Sequence, residues 1–287
     1  MKLTSNNFLD LARGSFREAK VVVVPFGFEA STTYGQGTAR GPQAIIKASQ
    51  QVEFFDEELW QNTAEKVNIV TLSEIKPLTP KKLIATISKI LQAKKLPIVL
   101  GGEHSITSFI IEAYKKSGFG AFSILQFDAH ADLREKYQNK KYSHACAMRR
   151  CLDFPGINLV QVGIRSIAEE DGELIFWERN QKRIKTFWAK DKKKWKIEEI
   201  IKGLRNEVFI SFDVDGLDSS VMPSVGTPYP GGLEWQEALD VLRAVCQKRK
   251  IIGADFVELS PIKGMSAPDF LVAKLIYKTL GYACGKK

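Results

Sequence analysis

Short apolar runs alternate with longer stretches of three-to-four-residue periodicity from one end of the chain to the other. Runs such as VVVV (21–24) and SILQF (123–127) are largely apolar at successive positions, the pattern of strands covered on both faces of a parallel sheet. Strands are predicted at 20–24, 67–72, 97–100, 121–127, 158–162, 183–187, 207–212 and 250–257. Helical patterns fill the gaps. Thr79 and Pro80 read as a cap and a first-turn proline, after which Leu83, Ile84, Ile87, Ile90 and Leu91 form one stripe. Trp235, Ala238, Leu239, Leu242 and Val245 repeat that stripe in a helix predicted to begin near Leu233. No internal repeat, low-complexity linker or composition break divides the chain, so residues 1–287 read as one domain. Eight βα units fit an open doubly wound sheet or an eightfold barrel, and in both ligands bind beyond the carboxyl ends of the strands.

Those strand ends carry the chemistry. The predicted strands run into GGEHS (101–105), DAHAD (128–132), DVDGLD (213–218) and VELSP (257–261). Two of the three histidines, His104 and His130, lie in these blocks, and the third is His144. Alternate residues of an extended segment point the same way, so Asp128, His130 and Asp132 are expected to project together, as are Asp213 and Asp215. Aspartates converging without counter-charge repel and take up protons. A pair of divalent ions sharing carboxylates, ~3.5–4 Å apart, resolves that conflict. Carboxylates mixed with imidazoles, and no thiolate, favour Mn²⁺ over structural zinc. Helix caps and turns would explain any one block, since Asp is common there, but explain all four poorly.

Charge first suggests an anionic partner: 42 Lys and Arg against 33 Asp and Glu give +9. Between residues 179 and 196, however, nine basic residues face Asp191 alone, so that segment carries eight of the nine charges. A nucleic-acid-binding module using this segment, with Phe187, Trp188 and Trp195 for stacking, is the alternative of another class. A solvated outer face is the commoner outcome for such a run. The four cysteines form no CxxC pair or dense framework, as in a reducing compartment. No apolar stretch approaches the ~18 residues of a membrane span, and the first residues lack the apolar core of a secretory signal. A cytoplasmic protein with no membrane partner is expected.

GGEHS, DAHAD, SFDVDGLD and DFVELSP, in this order, resemble the signature blocks of the ureohydrolase family of arginase, agmatinase and relatives. The similarity extends from VVVVPFGFEASTTYGQGTARGPQAI (Val21–Ile45) to VELSP. It implies an α/β/α three-layer sandwich on an eight-stranded, mainly parallel sheet, which decides against the barrel. It also implies two Mn²⁺ per subunit and a homo-oligomer, commonly a trimer or hexamer. By position, His104 and Asp132 would ligate one ion, His130 and Asp215 the other, with Asp128 and Asp213 bridging. The resemblance makes a metal-bridging hydroxide the nucleophile toward a guanidinium carbon, with Asp132 orienting it and receiving its proton. Glu258 would pair with the guanidinium, and His144, in HACAMRR (144–150), would shuttle protons to solvent. The first block more often reads GGDHS, and Glu103 in its place is expected to alter hydrogen bonding around the centre without loss of metal.

The stretch LREKYQNKKYSHACAMRR (133–150) lacks the pattern with which arginases grip an α-carboxylate, and resembles the agmatinase branch. Agmatine, cleaved to putrescine and urea, is therefore the expected substrate, with acids at the pocket mouth meeting its second cation. Glu169, Glu170 and Asp171 are candidates for those acids, although first-turn acids also complement a helix dipole. N1-aminopropylagmatine is the alternative, as are arginine and guanidinobutyrate, the last with Arg134 or Arg149 on its carboxylate. A catalytically inactive regulatory homologue is a further alternative, but all six ligand positions, Glu258 and His144 hold competent residues.

Overall fold

The protein is described from a computed structural model covering residues 1–12 and 14–285. Ten strands are described: β1 (Val21–Phe26), β2 (Phe55–Asp56), β3 (Gln61–Asn62), β4 (Ile69–Thr71), β5 (Leu96–Gly101), β6 (Phe122–Phe127), β7 (Ile157–Ile164), β8 (Ile184–Trp188), β9 (Glu207–Asp213) and β10 (Lys250–Val257). The helices are α1 (Gly41–Ser49), α2 (Thr63–Lys66), α3 (Pro80–Gln92), α4 (Ile106–Lys116), α5 (Ala147–Leu152), α6 (Glu173–Arg179), α7 (Ile197–Gly203), α8 (Trp235–Lys248) and α9 (Ala267–Cys284). Eight strands form one open sheet in the order β4-β1-β5-β10-β9-β6-β7-β8, parallel throughout, and β2 and β3 form a separate antiparallel hairpin.

Period-two alternation divides each strand between two cores. Val21, Val23, Leu125 and Phe127 pack with α1, α8 and α9 on one face, whereas Val22, Val24, Phe122 and Ile124 pack with α3, α4 and α5 on the other. All six residues of β1 and of β6 are buried, as strands covered on both faces require. This is the expected three-layer sandwich. In α3, Thr79 Oγ1 accepts from Lys82 N and Pro80 opens the first turn, leaving Leu83, Ile87, Ile90 and Leu91 buried. The helix expected near Leu233 begins at Trp235, because Glu234 and Glu237 form a reciprocal capping box ahead of it.

Strand order places the chemistry. The four blocks follow β5, β10, β9 and β6, which are consecutive neighbours at the middle of the sheet. The chain leaves β5 for β6 and returns later to fill the gap with β9 and β10. A crevice beyond the carboxyl ends results at that reversal.

Candidate metal centre and active site

At the end of β5 the backbone of 101–105 crosses very close to the segment after β1. A Cβ on Gly102 would lie 2.1 Å from the Phe28 carbonyl oxygen, so only glycine permits the crossing. His104 follows, 1% exposed. Its Nε2 lies 2.9 Å from Ser211 Oγ on β9, whose own proton goes to Asp255 Oδ1 at 2.8 Å. Thr107 Oγ1 donates to the other Asp255 oxygen. Ser211 can therefore only accept from the imidazole, so Nε2 carries the proton and Nδ1 presents its lone pair.

That lone pair faces carboxylates. His104 Nδ1 is 3.1 Å from Asp128 Oδ2, 3.0 Å from Asp132 Oδ2 and 3.3 Å from Asp213 Oδ2. It is nevertheless a buried nitrogen with no hydrogen-bonding partner of acceptable geometry. On the other side His130 Nδ1 is 3.0 Å from Asp215 Oδ2 and 3.6 Å from Asp128 Oδ1. His104, Asp128 and Asp132 form one group able to hold a cation, and Asp128, His130 and Asp215 a second. Asp128 thus gives one oxygen to each group. For Asp213 the contact lies on the His104 side, its Oδ1 being taken by the Asp215 N–H at 2.9 Å.

The six side chains converge, but simple strand alternation is not how they do it. Asp132 has φ 55°, and residues Val214–Gly216 form a 3₁₀ turn capped by Asp213. Gly216 closes that turn against β6, where a Cβ would meet Asp128 N at 2.6 Å. The carboxylates are held by donors: Gln126 Nε2 to Asp128 Oδ2 at 2.7 Å, His130 N to Asp128 Oδ1 at 2.6 Å, and Ala129 N to Asp215 Oδ1 at 3.0 Å. Burial and the neighbouring Asp128 push Asp132 up to about 7, and burial beside Asp215 and Asp128 raises Asp213 well above the usual carboxylate range. An inward lone pair, shared carboxylates and acids raised by burial suit a two-cation donor set.

A cavity of about 180 Å³ opens over this cluster and is lined by His104, His130, Asp132, Asp213, Asp215, Glu258 and His144. Glu258 follows β10 with φ 67°, a left-handed conformation that turns its side chain back toward β5, where Oε1 accepts the His104 N–H at 2.7 Å. Burial raises its carboxyl well above the usual range. His144 stands on the opposite wall, with Thr33 Oγ1 2.8 Å from Nε2 and Ser31 Oγ 3.1 Å from Nδ1. Burial pulls its imidazole down to about 4, so it is neutral at physiological pH.

Glu169 and Glu170 are exposed on the turn before α6 and do not line the cavity; the acid that does is Glu173. Its carboxylate accepts Leu133 N and Ala168 N, each at 2.7 Å. Position within a predicted helix start disguised it, because first-turn acids are ordinary there. Arg134 also lines the cavity, 3.5 Å from Asp171 and 3.8 Å from Glu173, whereas Arg149 pairs with Glu135 and stacks on Phe176 away from it. Ser31 and Thr33 were not foreseen, since nothing in a loop sequence announces which hydroxyls will face a histidine more than a hundred residues away. Glu103 reaches the 30–31 backbone.

The arginase family model matches residues 19–281. Among similar curated proteins, an N(1)-aminopropylagmatine ureohydrolase of Synechocystis is 36% identical, over 93% of this chain and 90% of that protein. One from Thermus thermophilus is 37% identical over 93% and 91%. Among solved structures, the agmatine ureohydrolase of Thermoplasma volcanium superposes with a TM-score of 0.83 at 28% identity, over 99% of this chain and 94% of that one. The chain belongs to the arginase family and is a metal-dependent amidinohydrolase of the ureohydrolase type.

Proposed function

We propose that the protein releases urea from a linear guanidino-amine, N1-aminopropylagmatine ahead of agmatine, using two Mn²⁺. The observation that carries the substrate is the identity of 36 and 37%, over nine-tenths of the chain, to enzymes named for N1-aminopropylagmatine. Agmatine, the expectation from sequence, becomes the second substrate. His104, Asp128, Asp132 and Asp213 would hold one ion, and His130, Asp128 and Asp215 the other. When bound, such a pair acidifies water and supplies a nucleophile at neutral pH.

The remaining work falls to the chain's own groups. Glu258 pairs with the guanidinium, which stays cationic at physiological pH, and fixes the angle of its central carbon. Asp132, held protonatable by its neighbours, takes the proton of the attacking water and passes it to the departing amine. His144, neutral and half-buried at the mouth, carries protons between the cavity and solvent. Glu173 presents negative charge along the wall toward the amine end of the substrate, and Glu169 and Glu170 add to it at the exposed rim.

Arg134 favours a second reading, guanidinobutyrate, because its guanidinium stands in the cavity wall where a distal carboxylate would lie. Urea release across N1-aminopropylagmatine, agmatine, guanidinobutyrate and arginine, with and without added Mn²⁺, tests both. The largest kcat/KM is expected for N1-aminopropylagmatine. A larger value for guanidinobutyrate would transfer the assignment to Arg134, and urea release undiminished by chelation would defeat the two-metal reading.

A further inference from the structure

Glu103 is fully buried, and its two oxygens accept four hydrogen bonds. Its Oε2 accepts from the N–H of Ala30 at 2.8 Å and of Ser31, while Oε1 accepts from Ser105 Oγ at 2.5 Å and Ser31 Oγ at 3.1 Å. Ser31 Oγ has one proton and two lone pairs. The proton goes to Glu103, and one lone pair accepts the backbone N–H of His144 at 3.1 Å. The other faces His144 Nδ1, also at 3.1 Å, and only a protonated Nδ1 completes the hydroxyl's bonding there. On the far side of the ring, Thr33 Oγ1 is 2.8 Å from Nε2 and can donate to its lone pair. Ser143 Oγ, 3.4 Å from Nδ1, is the longer of the two hydroxyl contacts to that nitrogen.

We propose that Glu103 and Ser31 are positioning residues for His144: the buried carboxylate takes the Ser31 proton, so that Ser31 accepts from Nδ1–H and holds the imidazole as the tautomer whose Nε2 is free to receive a proton. Which ring nitrogen carries the proton is set by the bond the other makes. A carboxylate usually does this directly, whereas here a hydroxyl stands between the acid and the ring. The inference rests on the reading of His144 as the proton carrier. It also gives Glu103 a purpose that a shorter acid, ending one methylene nearer its own backbone, would serve less well across this gap.

Two measurements test it. Neutron diffraction from perdeuterated protein at neutral pH is expected to place deuterium on His144 Nδ1; deuterium on Nε2 overturns the inference whatever the substrate. Kinetics supply the second. Ser31→Ala and Glu103→Gln are each expected to lower kcat by about 10- to 100-fold with KM within about twofold, at unchanged metal content. The Gln amide would donate toward Ser31 and reverse the direction of the chain. Ser31→Thr, which keeps the hydroxyl, should recover most of the loss. Ser31→Ala combined with His144→Ala should be no slower than His144→Ala alone. Wild-type kcat in Ser31→Ala beside an impaired His144→Ala overturns this inference only, as do additive losses in the double variant. Wild-type turnover in His144→Ala overturns the proton-carrier reading and this inference with it.

Discussion

His104 is aimed by a residue that touches no substrate. Ser211 accepts from Nε2 because Asp255 claims its proton, and the Nδ1 lone pair is thereby committed to the carboxylate cluster. Ser211→Ala is expected to weaken divalent-cation affinity by about 10- to 100-fold with the fold intact, as loss of an orienting partner does elsewhere. Competition with a chromogenic chelator measures it. Asp218 shows the same economy on the rim. The Ser220 hydroxyl, then the N–H groups of Ser220, Gly231 and Gly232, pull its carboxyl down to about 2. A carboxylate lowered on folding stabilises above its unfolded value of about 4, and that contribution disappears as pH falls toward 2. Asp218→Ala should accordingly lower the thermal midpoint at pH 7, with the gap from wild type closing between about pH 4 and pH 2. A gap that stays constant across that window would mean the charge contributes nothing.

At the level of elements, one arginine ties the segment 216–232 to the sheet at several points. Arg165, just after β7, donates to the carbonyls of Asp215 at 2.7 Å, Tyr229 at 2.6 Å, Pro230 at 3.1 Å and Leu217 at 3.2 Å. Arg165→Ala strands those carbonyls and should loosen 216–232 first, seen as faster amide exchange there and a raised KM. The β2–β3 hairpin is held differently. Lys278 of α9, 2% exposed, lies 2.9 Å from the fully buried Asp56 and 2.9 Å from Glu57. Lys278→Met leaves Asp56 buried and unpaired, at an expected cost of about 3–5 kcal/mol in urea unfolding. Neither device was legible in the sequence. The hairpin's two-residue strands are too short to show a period, and a lysine in a long apolar helix reads as a surface position. The inner strands of the sheet were legible because burial on both faces leaves largely apolar runs. The acids and histidines that converge at the candidate centre were legible because strand ends concentrate them. The shift from Leu233 to Trp235 went unseen because a glutamate, not Ser, Thr, Asp or Asn, supplies the cap. His144's hydroxyl partners and Glu173 depended on loop paths that no local pattern encodes.

Over the whole molecule, the net charge and the site have opposite characters. The basic segment is dispersed by packing: Arg183 donates to carbonyls of Leu152 and Ile157, and Lys192 pairs with Glu237 at 2.8 Å. No retention on generic DNA at low salt is expected, and salt-dependent binding would reopen that reading. Among the described residues no helix is long and apolar enough to cross a membrane. The exposed pair Phe55 and Trp60 meets edge to face at the hairpin. Light scattering is expected to give a trimer or hexamer. At the centre, cations compete with protons. With Asp132 pushed up to about 7, affinity for Mn²⁺ should fall as pH drops below 7 and loading should release protons. Calorimetry in buffers of different ionisation enthalpy reads that release, and a buffer-independent heat would contradict it.

The sheet order has a consequence for synthesis. β5 and β6 are made first, but β9 and β10, which lie between them, emerge last. A nascent chain that has already delivered His104, Asp128, His130 and Asp132 to the ribosome exit still lacks Asp213, Asp215 and Glu258. Until the final third arrives, two apolar strand edges await partners that do not yet exist, and the candidate donor set has four of its six members. The protein cannot be assembled progressively from its N-terminus: its centre closes in one late, long-range event, and a chain cut short before β10 would lack Glu258 and the strand that joins β5 to β9.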